Sequence, residues 1–327
     1  MTRSRSTRRA APVAALAAVG LLGGCAFLAE QTAPTKPAST QRSSAALQAD
    51  ALFWTTLHTV IVAGVPAALE ALKAAYLQSP GDAETAAHIG FLHIWRLAER
   101  ARLGAPAAAV TDNAMLARRY FDEAVALHPA EPRYRGFQAS SLLAEASIHQ
   151  DERLQRRGFY AMLDAVDAWP EFNLFTAGYS FSGQPAASAP FQQGLQMQWR
   201  TLDLCSGTTI DRSQPDFAPY MQLQTQQGPK RACWNSWIAP HNFEGFFLNM
   251  GDMLVKSGDW ATAQQVYANA RHSPDYARWP YRPVLEARIT QAQANVSAFN
   301  APPGAVSGDR VMMIQTRFAC MACHQKH

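Results

Sequence analysis

Apolar residues recur at the spacing of an α-helix along most of this chain, and this periodicity restricts the fold more than any other feature. The pattern begins at Leu47, is broken at Gly64-Val65-Pro66 and resumes at Leu69. No stretch before Leu174 shows the sustained alternation of period two that marks a half-buried strand. The sequence therefore predicts an all-α protein. Helices are expected over 47–62, 69–77, 83–103 and 112–127, with two more between 133 and 169, and the breaks between them include Pro80, Pro129, Pro132 and Pro170.

The most regular internal pattern runs from Phe247 to Pro274. Two predicted helices meet here at a turn formed by Gly258-Asp259. Small residues that allow the helices to approach closely are combined with large ones that fill the space between them: Gly251, Ala263 and Ala270 are small, and Phe247, Leu254 and Tyr267 are large. This spacing resembles that of a tetratricopeptide repeat.

A second, degenerate copy of the pattern lies upstream, with Gly90 in its first helix. Its second helix carries Ala117, Phe121 and Ala124, and Pro129 ends it; about 15 extra residues separate the two halves. The resemblance implies a tetratricopeptide-like helical solenoid over residues 46–300, a scaffold that binds partners rather than a catalyst. An irregular helical bundle is the alternative fold.

The first 24 residues carry the features of an export signal. Four arginines and no acidic residue precede an apolar run from Ala10 to Leu22, which matches a signal peptide and is too short to span a membrane. Leu22-Gly23-Gly24-Cys25 resembles the lipobox of bacterial lipoproteins. The resemblance implies lipidation of Cys25 and, with Ala26 following, attachment to the outer membrane of the cell envelope, facing the periplasm. An ordinary signal peptide is the alternative.

Residues 25–45 predict a flexible lipidated tether, because they are rich in Pro, Ser, Thr and Gln and have no helical or strand period. Removal of residues 1–24 also removes four arginines, so that 29 Lys and Arg fall to 25 and balance the 25 Asp and Glu. A neutral mature chain argues against nucleic-acid binding. Contact with the membrane is therefore expected through the lipid.

Between residues 174 and 243 the helical pattern gives way to Gly, Pro, Ser and aromatic residues, which predicts an irregular insertion. Cys205 and Cys233 both lie in this segment. In the oxidising compartment that the signal peptide implies, the two thiols predict a disulfide that staples the insertion. A free reactive thiol is the alternative.

The chemistry is concentrated in the last residues. Cys320-Met321-Ala322-Cys323-His324 is a C-x-x-C-H sequence, which is typical of covalent haem c attachment. We expect Cys320 and Cys323 to form thioether bonds with the porphyrin and His324 to bind its iron. A thioredoxin-like dithiol would need the motif to open a helix after a strand, and a zinc site would need further ligands in suitable spacing. The sequence therefore predicts one covalent haem c.

Residues 301–327 are expected to form a hinge and a haem-binding tail. The hinge covers 300–304, and a short haem-attachment helix is predicted from Asp309 to His324. An ordinary cytochrome c carries a long chain after this motif that wraps the haem, whereas here only three residues follow His324. We therefore expect the haem to dock on the helical body or on another protein.

A sixth iron ligand, if there is one, should come from upstream of the tail. Histidine and methionine are the residue types that fill this position in c-type proteins. Each candidate also has an ordinary structural role as a core residue within an apolar helical stretch. The candidates are His93 and His58, which we favour, followed by His241, Met250 and Met253.

Together these features predict a membrane-anchored monohaem c-type protein of the bacterial cell envelope. It would pass single electrons between protein partners that dock on the helical scaffold. Two alternatives stay open, namely a scaffold or assembly lipoprotein whose haem senses redox state or a gas, and a peroxidase-like haem enzyme. No Ser/His/Asp pattern or phosphate-binding glycine loop is recognisable, so an electron carrier or scaffold is favoured over a catalyst.

Overall fold

The computed structural model describes residues 34–59, 62–100, 104–221, 227–234, 243–302 and 304–313, together with Thr32, Leu223 and Thr225. These residues form helices joined by loops and contain no strand, so the prediction of an all-α protein is confirmed. The α-helices are α1 Ser44–Thr59, α2 Val65–Gln78, α3 Ala83–Ala98, α4 Ala107–Leu127, α5 Pro132–His149, α6 Glu152–Ala168, α7 Pro170–Phe181, α8 Ala189–Ser206, α9 Arg231–Trp234, α10 Phe243–Ser257, α11 Trp260–Ala268 and α12 Arg282–Phe299. Short 3-10 helices cover Val62–Gly64, Ala218–Tyr220, Asn269–His272, Tyr276–Arg278 and Gly308–Arg310.

Each long helix packs mainly against its neighbours along the chain. The most extensive contacts join α5 with α6, α3 with α4, α7 with α8, α4 with α5, and α10 with α11. Local signals start several of these helices: the carboxylate of Asp82 accepts hydrogen bonds from the first turn of α3, and Asp151 does the same for α6. This succession of neighbouring helices is compatible with an all-α helical repeat fold.

Small residues permit close approach where the sequence expects it. A Cβ atom added to Gly251 would lie 2.2 Å from the ring of Tyr267, and one added to Gly90 would lie 2.9 Å from the ring of Phe121. Ala263 and Tyr267 are both fully buried. The helix pairs α10 with α11 and α3 with α4 therefore depend on these glycines for their spacing.

The predicted irregular insertion over residues 174–243 is wrong in its first half. Residues up to 206 continue as helices α7 and α8, and both helices carry a proline in their first turn. Gly178 and Gly194 lie inside these helices and do not form turns. A Cβ added to Gly178 would lie 2.8 Å from the carbonyl of Gly194, so these residues are contact points between two packed helices. The same small residues that suggest loops in a sequence also suit close helix packing.

After α8 the described chain is mostly irregular up to residue 230. This irregular segment begins at Gly207, which ends α8 in the left-handed conformation with a φ of 80°. The Sγ atoms of Cys205 and Cys233 lie 2.00 Å apart, the distance of a disulfide bond, and their Cα atoms lie 5.8 Å apart. Asn269 also holds this segment: its side chain accepts from the N–H of Phe217 and donates to the carbonyl of Pro215.

Two large apolar cores lie along the chain. The first is built from α1 to α4 with Tyr134 of α5. The second joins α7, α8, α10, α11 and α12 and includes Met313, which is 1% exposed. Among the described residues, every helix is too short or too polar to cross a membrane.

Candidate functional site

The haem-attachment motif lies outside the described residues, as do Cys25 and His241. The last described residues of the tail are Val311, Met312 and Met313. They follow a 3-10 helix over Gly308–Arg310 and do not continue the α-helix that the sequence predicts from Asp309. Met313 has a φ of 57°, a conformation that residues other than glycine seldom adopt.

A buried ion pair explains why the backbone leaves the helical path here. Arg288 of α12 and Asp252 of α10 are 3% and 0% exposed, and Arg288 Nε donates to Asp252 Oδ1 at 3.1 Å. The same two side chains bind the tail, because the N–H of Met313 donates to Asp252 Oδ2 at 2.7 Å and Arg288 Nη2 donates to the carbonyl of Val311 at 2.9 Å. We call Asp252, Arg288 and Tyr267 the tail anchor.

Tyr267 completes the tail anchor from α11. Its hydroxyl donates to Asp252 Oδ1 at 2.6 Å, and the guanidinium of Arg288 also lies over the ring of Phe299 at 4.7 Å. Complete burial raises the pKa of the Asp252 carboxyl, while Arg288 and the hydrogen bonds to this carboxyl oppose the rise. Burial and the neighbouring carboxylate also raise the pKa of Tyr267, so its hydroxyl stays a donor.

The tail anchor fixes the point from which the tail leaves the body. Cys320 follows Met313 by seven residues, a length that reaches at most about 25 Å when fully extended.

Sequence reasoning did not find the tail anchor. Arg288 occupies a position on the buried face of α12, between Leu285 and Ala292, which are both fully buried. A charged residue within an apolar stripe at helical spacing is a recognisable signal, because a buried charge needs a partner. The identity of that partner, 36 residues away on α10, is a tertiary property.

A large groove is the second feature that could hold a ligand. It has a volume of about 1080 Å³ and lies between α3, α5, α6 and α7, with its end near the start of α8. Among the described residues, seven aromatic side chains contribute to its lining: Phe91, Phe137, Phe159, Tyr160, Phe175, Tyr179 and Phe181. We call this the aromatic groove. Its volume and aromatic lining are compatible with a large apolar group such as a porphyrin.

Polar residues lie around the aromatic groove. Arg156 and Glu152 form an exposed ion pair at 3.3 Å on α6, and Arg100, beyond the end of α3, also contributes to the lining. Among the described residues, its lining includes no histidine or methionine. The aromatic groove therefore offers stacking surface and cationic groups, and it does not supply the usual ligands of haem iron.

His93 lies in the first core, outside the lining of the aromatic groove. Its Nδ1 lies 2.8 Å from Asn113 Oδ1, and the amide of Asn113 donates to the carbonyl of Ala109 at 2.6 Å. Asn113 Oδ1 is therefore an acceptor, which places the ring proton of His93 on Nδ1. Nε2 has no hydrogen-bond partner within the part of the chain that the structure describes, and burial lowers the pKa of His93 to about 4.

The other ligand candidates are also placed within helices. His58 lies in α1, and Met250 and Met253 are fully buried in α10 within the second core. His93 is 1% exposed. The neutral Nε2 of His93 has the chemistry of a metal ligand, but His93, Met250 and Met253 do not line the aromatic groove. Binding of iron by any of the candidates, His58 included, stays a prediction.

One group of possible metal ligands lies near the N-terminus, where ligand atoms of Asp50, Glu84 and His88 come within 4.8 Å of one another. Arg42 already supplies a cation to this group, since its guanidinium lies 3.2 Å from both Asp50 and Glu84. Burial raises the pKa of Asp50, but His88 and Arg42 together lower it below its usual value. The arrangement is an ion-pair network that joins the chain before α1 to α3.

Comparison with protein families, with curated proteins and with solved structures finds no match to this chain. The proposal of a function therefore rests on the geometry of the described residues and on the sequence motifs.

Proposed function

We propose that this protein is a membrane-anchored monohaem c-type protein of the bacterial cell envelope that transfers single electrons between protein partners. One observation carries the proposal: the sequence Cys320-Met321-Ala322-Cys323-His324 follows, after six residues, a segment that two buried charged side chains hold to the helical body. The motif supplies the attachment chemistry, and the tail anchor supplies a defined origin for the tail.

The roles of the tail residues follow from their chemistry. Cys320 and Cys323 would hold the porphyrin through thioether bonds, and His324 would bind the iron from the adjacent position. When bound, haem supplies reversible one-electron chemistry at its iron. Electron transfer requires a reproducible distance between the haem and a docked partner, and the tail anchor favours such a distance because it restricts the tail.

The rest of the chain supports a location and a scaffold role. The lipobox-like sequence that ends at Cys25 supports attachment to the outer membrane, facing the periplasm, through a lipid. Cys205 and Cys233 at disulfide distance suit an oxidising compartment. The packing of consecutive helices, with close approach at Gly90 and Gly251, supports a tetratricopeptide-like solenoid on which a redox or scaffold partner docks.

The test is maturation of the full chain, with its own signal peptide, in a bacterium that attaches haem c. We expect a coloured protein with a Soret band, a mass gain of one haem besides the lipid, and reversible one-electron reduction. The variant with both Cys320→Ala and Cys323→Ala should lose the colour, whereas Met321→Ala, between the two cysteines, should keep it. A colourless wild-type protein with no haem mass would refute the proposal.

The aromatic groove favours a second candidate function, a scaffold lipoprotein whose haem senses a gas or redox state. This function requires an iron with an open position, and the lining of the aromatic groove supplies no histidine or methionine to close it. Addition of carbon monoxide to the reduced protein separates the candidates. Rapid binding with a shifted Soret band would show the open iron position that sensing of a gas requires, and an unchanged spectrum would refute gas sensing.

A further inference from the structure

We propose that the aromatic groove is the docking site of the chain's own C-terminal tail, residues 314–327, together with the haem that the tail carries. The haem part of this inference rests on the proposed function. The docking part rests on the reach of the tail, on the chemistry of the aromatic groove and on the contacts between the groove rim and the C-terminal helices.

The tail begins close to the rim of the aromatic groove. Lys256 lies four residues after Asp252 on α10, so the two side chains share a face and are separated by about 6 Å along the helix. Lys256 Nζ donates to the carbonyls of Ser182 and Gln184 at 2.7 Å each, and Gln184 lines the aromatic groove. One helical turn and one lysine side chain therefore connect the tail anchor to the rim.

The end of α12 lies at the same place. Asn300, the residue after α12, donates from its side-chain amide to the carbonyl of Lys256 at 2.9 Å. The seven residues from Met313 to Cys320 reach at most about 25 Å. This length is sufficient to bring Cys320 to the rim at Gln184.

The chemistry of the aromatic groove suits a flat aromatic ring with acidic side chains. Aromatic side chains from four helices form its walls, and Tyr160 is 66% exposed, so its ring is accessible to a ligand. Arg156 is 78% exposed and lies on the same helix. The ring edges of a porphyrin would pack on the aromatic walls, and its carboxylates would face Arg156 and Arg100.

Docking in the aromatic groove has a consequence for the iron. His93 is on α3 but bonds to Asn113 of α4, and it does not line the aromatic groove. A haem docked there keeps His324 as its protein ligand and takes no histidine or methionine from the groove lining. Replacement of His93 should then leave the haem spectrum unchanged.

The experiment is site-specific photo-crosslinking in the full, haem-loaded chain. A photo-reactive phenylalanine replaces Tyr160 in the aromatic groove, and in a matched control it replaces Arg153, which is exposed on the same helix but does not line the aromatic groove. We expect cross-links from position 160 to peptides within residues 314–327 of the same molecule, at a yield several-fold above that from position 153. Arg156→Glu should lower this yield, and Arg157→Glu, also exposed on α6 and outside the groove lining, should not.

The outcomes distinguish the two proposals. A colourless protein refutes the proposed function, and the haem docking with it. A coloured protein with equal yields at positions 160 and 153, with no cross-link to the tail, or with cross-links only between two molecules refutes docking of the tail in its own aromatic groove and leaves the proposed function standing.

Discussion

Replacement of Asp252 by asparagine should destabilise the protein more than any other single isosteric change in the C-terminal helices. Asp252 is fully buried and accepts three hydrogen bonds, from Arg288 Nε at 3.1 Å, from the Tyr267 hydroxyl at 2.6 Å and from the Met313 N–H at 2.7 Å. Asparagine keeps the size but loses the charge and one acceptor oxygen, which leaves the guanidinium of Arg288 buried without a counter-ion. Such a broken pair costs about 3 to 5 kcal/mol. This is a large share of the roughly 5 to 15 kcal/mol by which a domain is stable.

Urea denaturation followed by circular dichroism measures this loss, and hydrogen exchange at the Met313 amide reports on the tail. The double variant Asp252→Leu with Arg288→Met should recover most of the stability, because apolar residues replace both charges. In this double variant the Met313 amide should exchange faster than in the wild type, because leucine removes the carboxylate that accepts its hydrogen bond. The exposed pair of Arg271 and Glu286 is the control, and Arg271→Met should cost less than about 1 kcal/mol.

Two outcomes would contradict this reasoning. If Asp252→Asn loses less than about 1 kcal/mol, the buried pair does not carry the stability that its burial implies. If the double variant protects the Met313 amide as well as the wild type does, the charged side chains do not hold the tail.

Three further predictions concern the fold. Lowering the pH from 7 to 5 should reduce the free energy of unfolding by about 2 kcal/mol through His93 alone. The pKa of His93 is about 4 in the folded protein and 6.5 in the unfolded chain, so only the unfolded chain takes up the proton in this range. Urea titrations at the two pH values should show this loss in the wild type and not in His93→Gln. Gly251→Ala should lower the free energy of unfolding by about 1 to 3 kcal/mol, because the added Cβ meets the ring of Tyr267. Adding Tyr267→Phe to this variant should not restore stability in denaturation experiments, because phenylalanine keeps the ring. Reduction of the Cys205–Cys233 pair, separated by 28 residues, should lower stability by about 3.5 kcal/mol in denaturation with and without reductant, and an equal midpoint in both would count against a bond.

The helical body was largely predictable because its signals are local. Apolar spacing and capping residues act within one helix, and they placed α1 to α6. The close approach at Gly251 and at Gly90 was also predictable, because small and large residues recur in a fixed order.

The helices over residues 170–206 show where local signals mislead. Glycine and proline predicted irregular chain from residue 174 onward, yet Pro190 lies in the first turn of α8 and Gly178 packs against Gly194. Glycine favours a turn when it is alone, and it favours close packing when a second helix presents another small residue opposite it. The sequence of one segment does not contain that second helix.

The attachment motif at 320–324 and the lipobox-like sequence at Cys25 were determined by consecutive residues, since the chemistry of each requires only neighbours in the chain. The tail anchor and the aromatic groove were decided by tertiary structure. Met313 and Asp252 are 61 residues apart, and the groove walls come from four helices. The physical reason is desolvation: a carboxylate and a guanidinium bind the backbone strongly only where packed helices exclude water, and that condition does not exist until the helices have assembled.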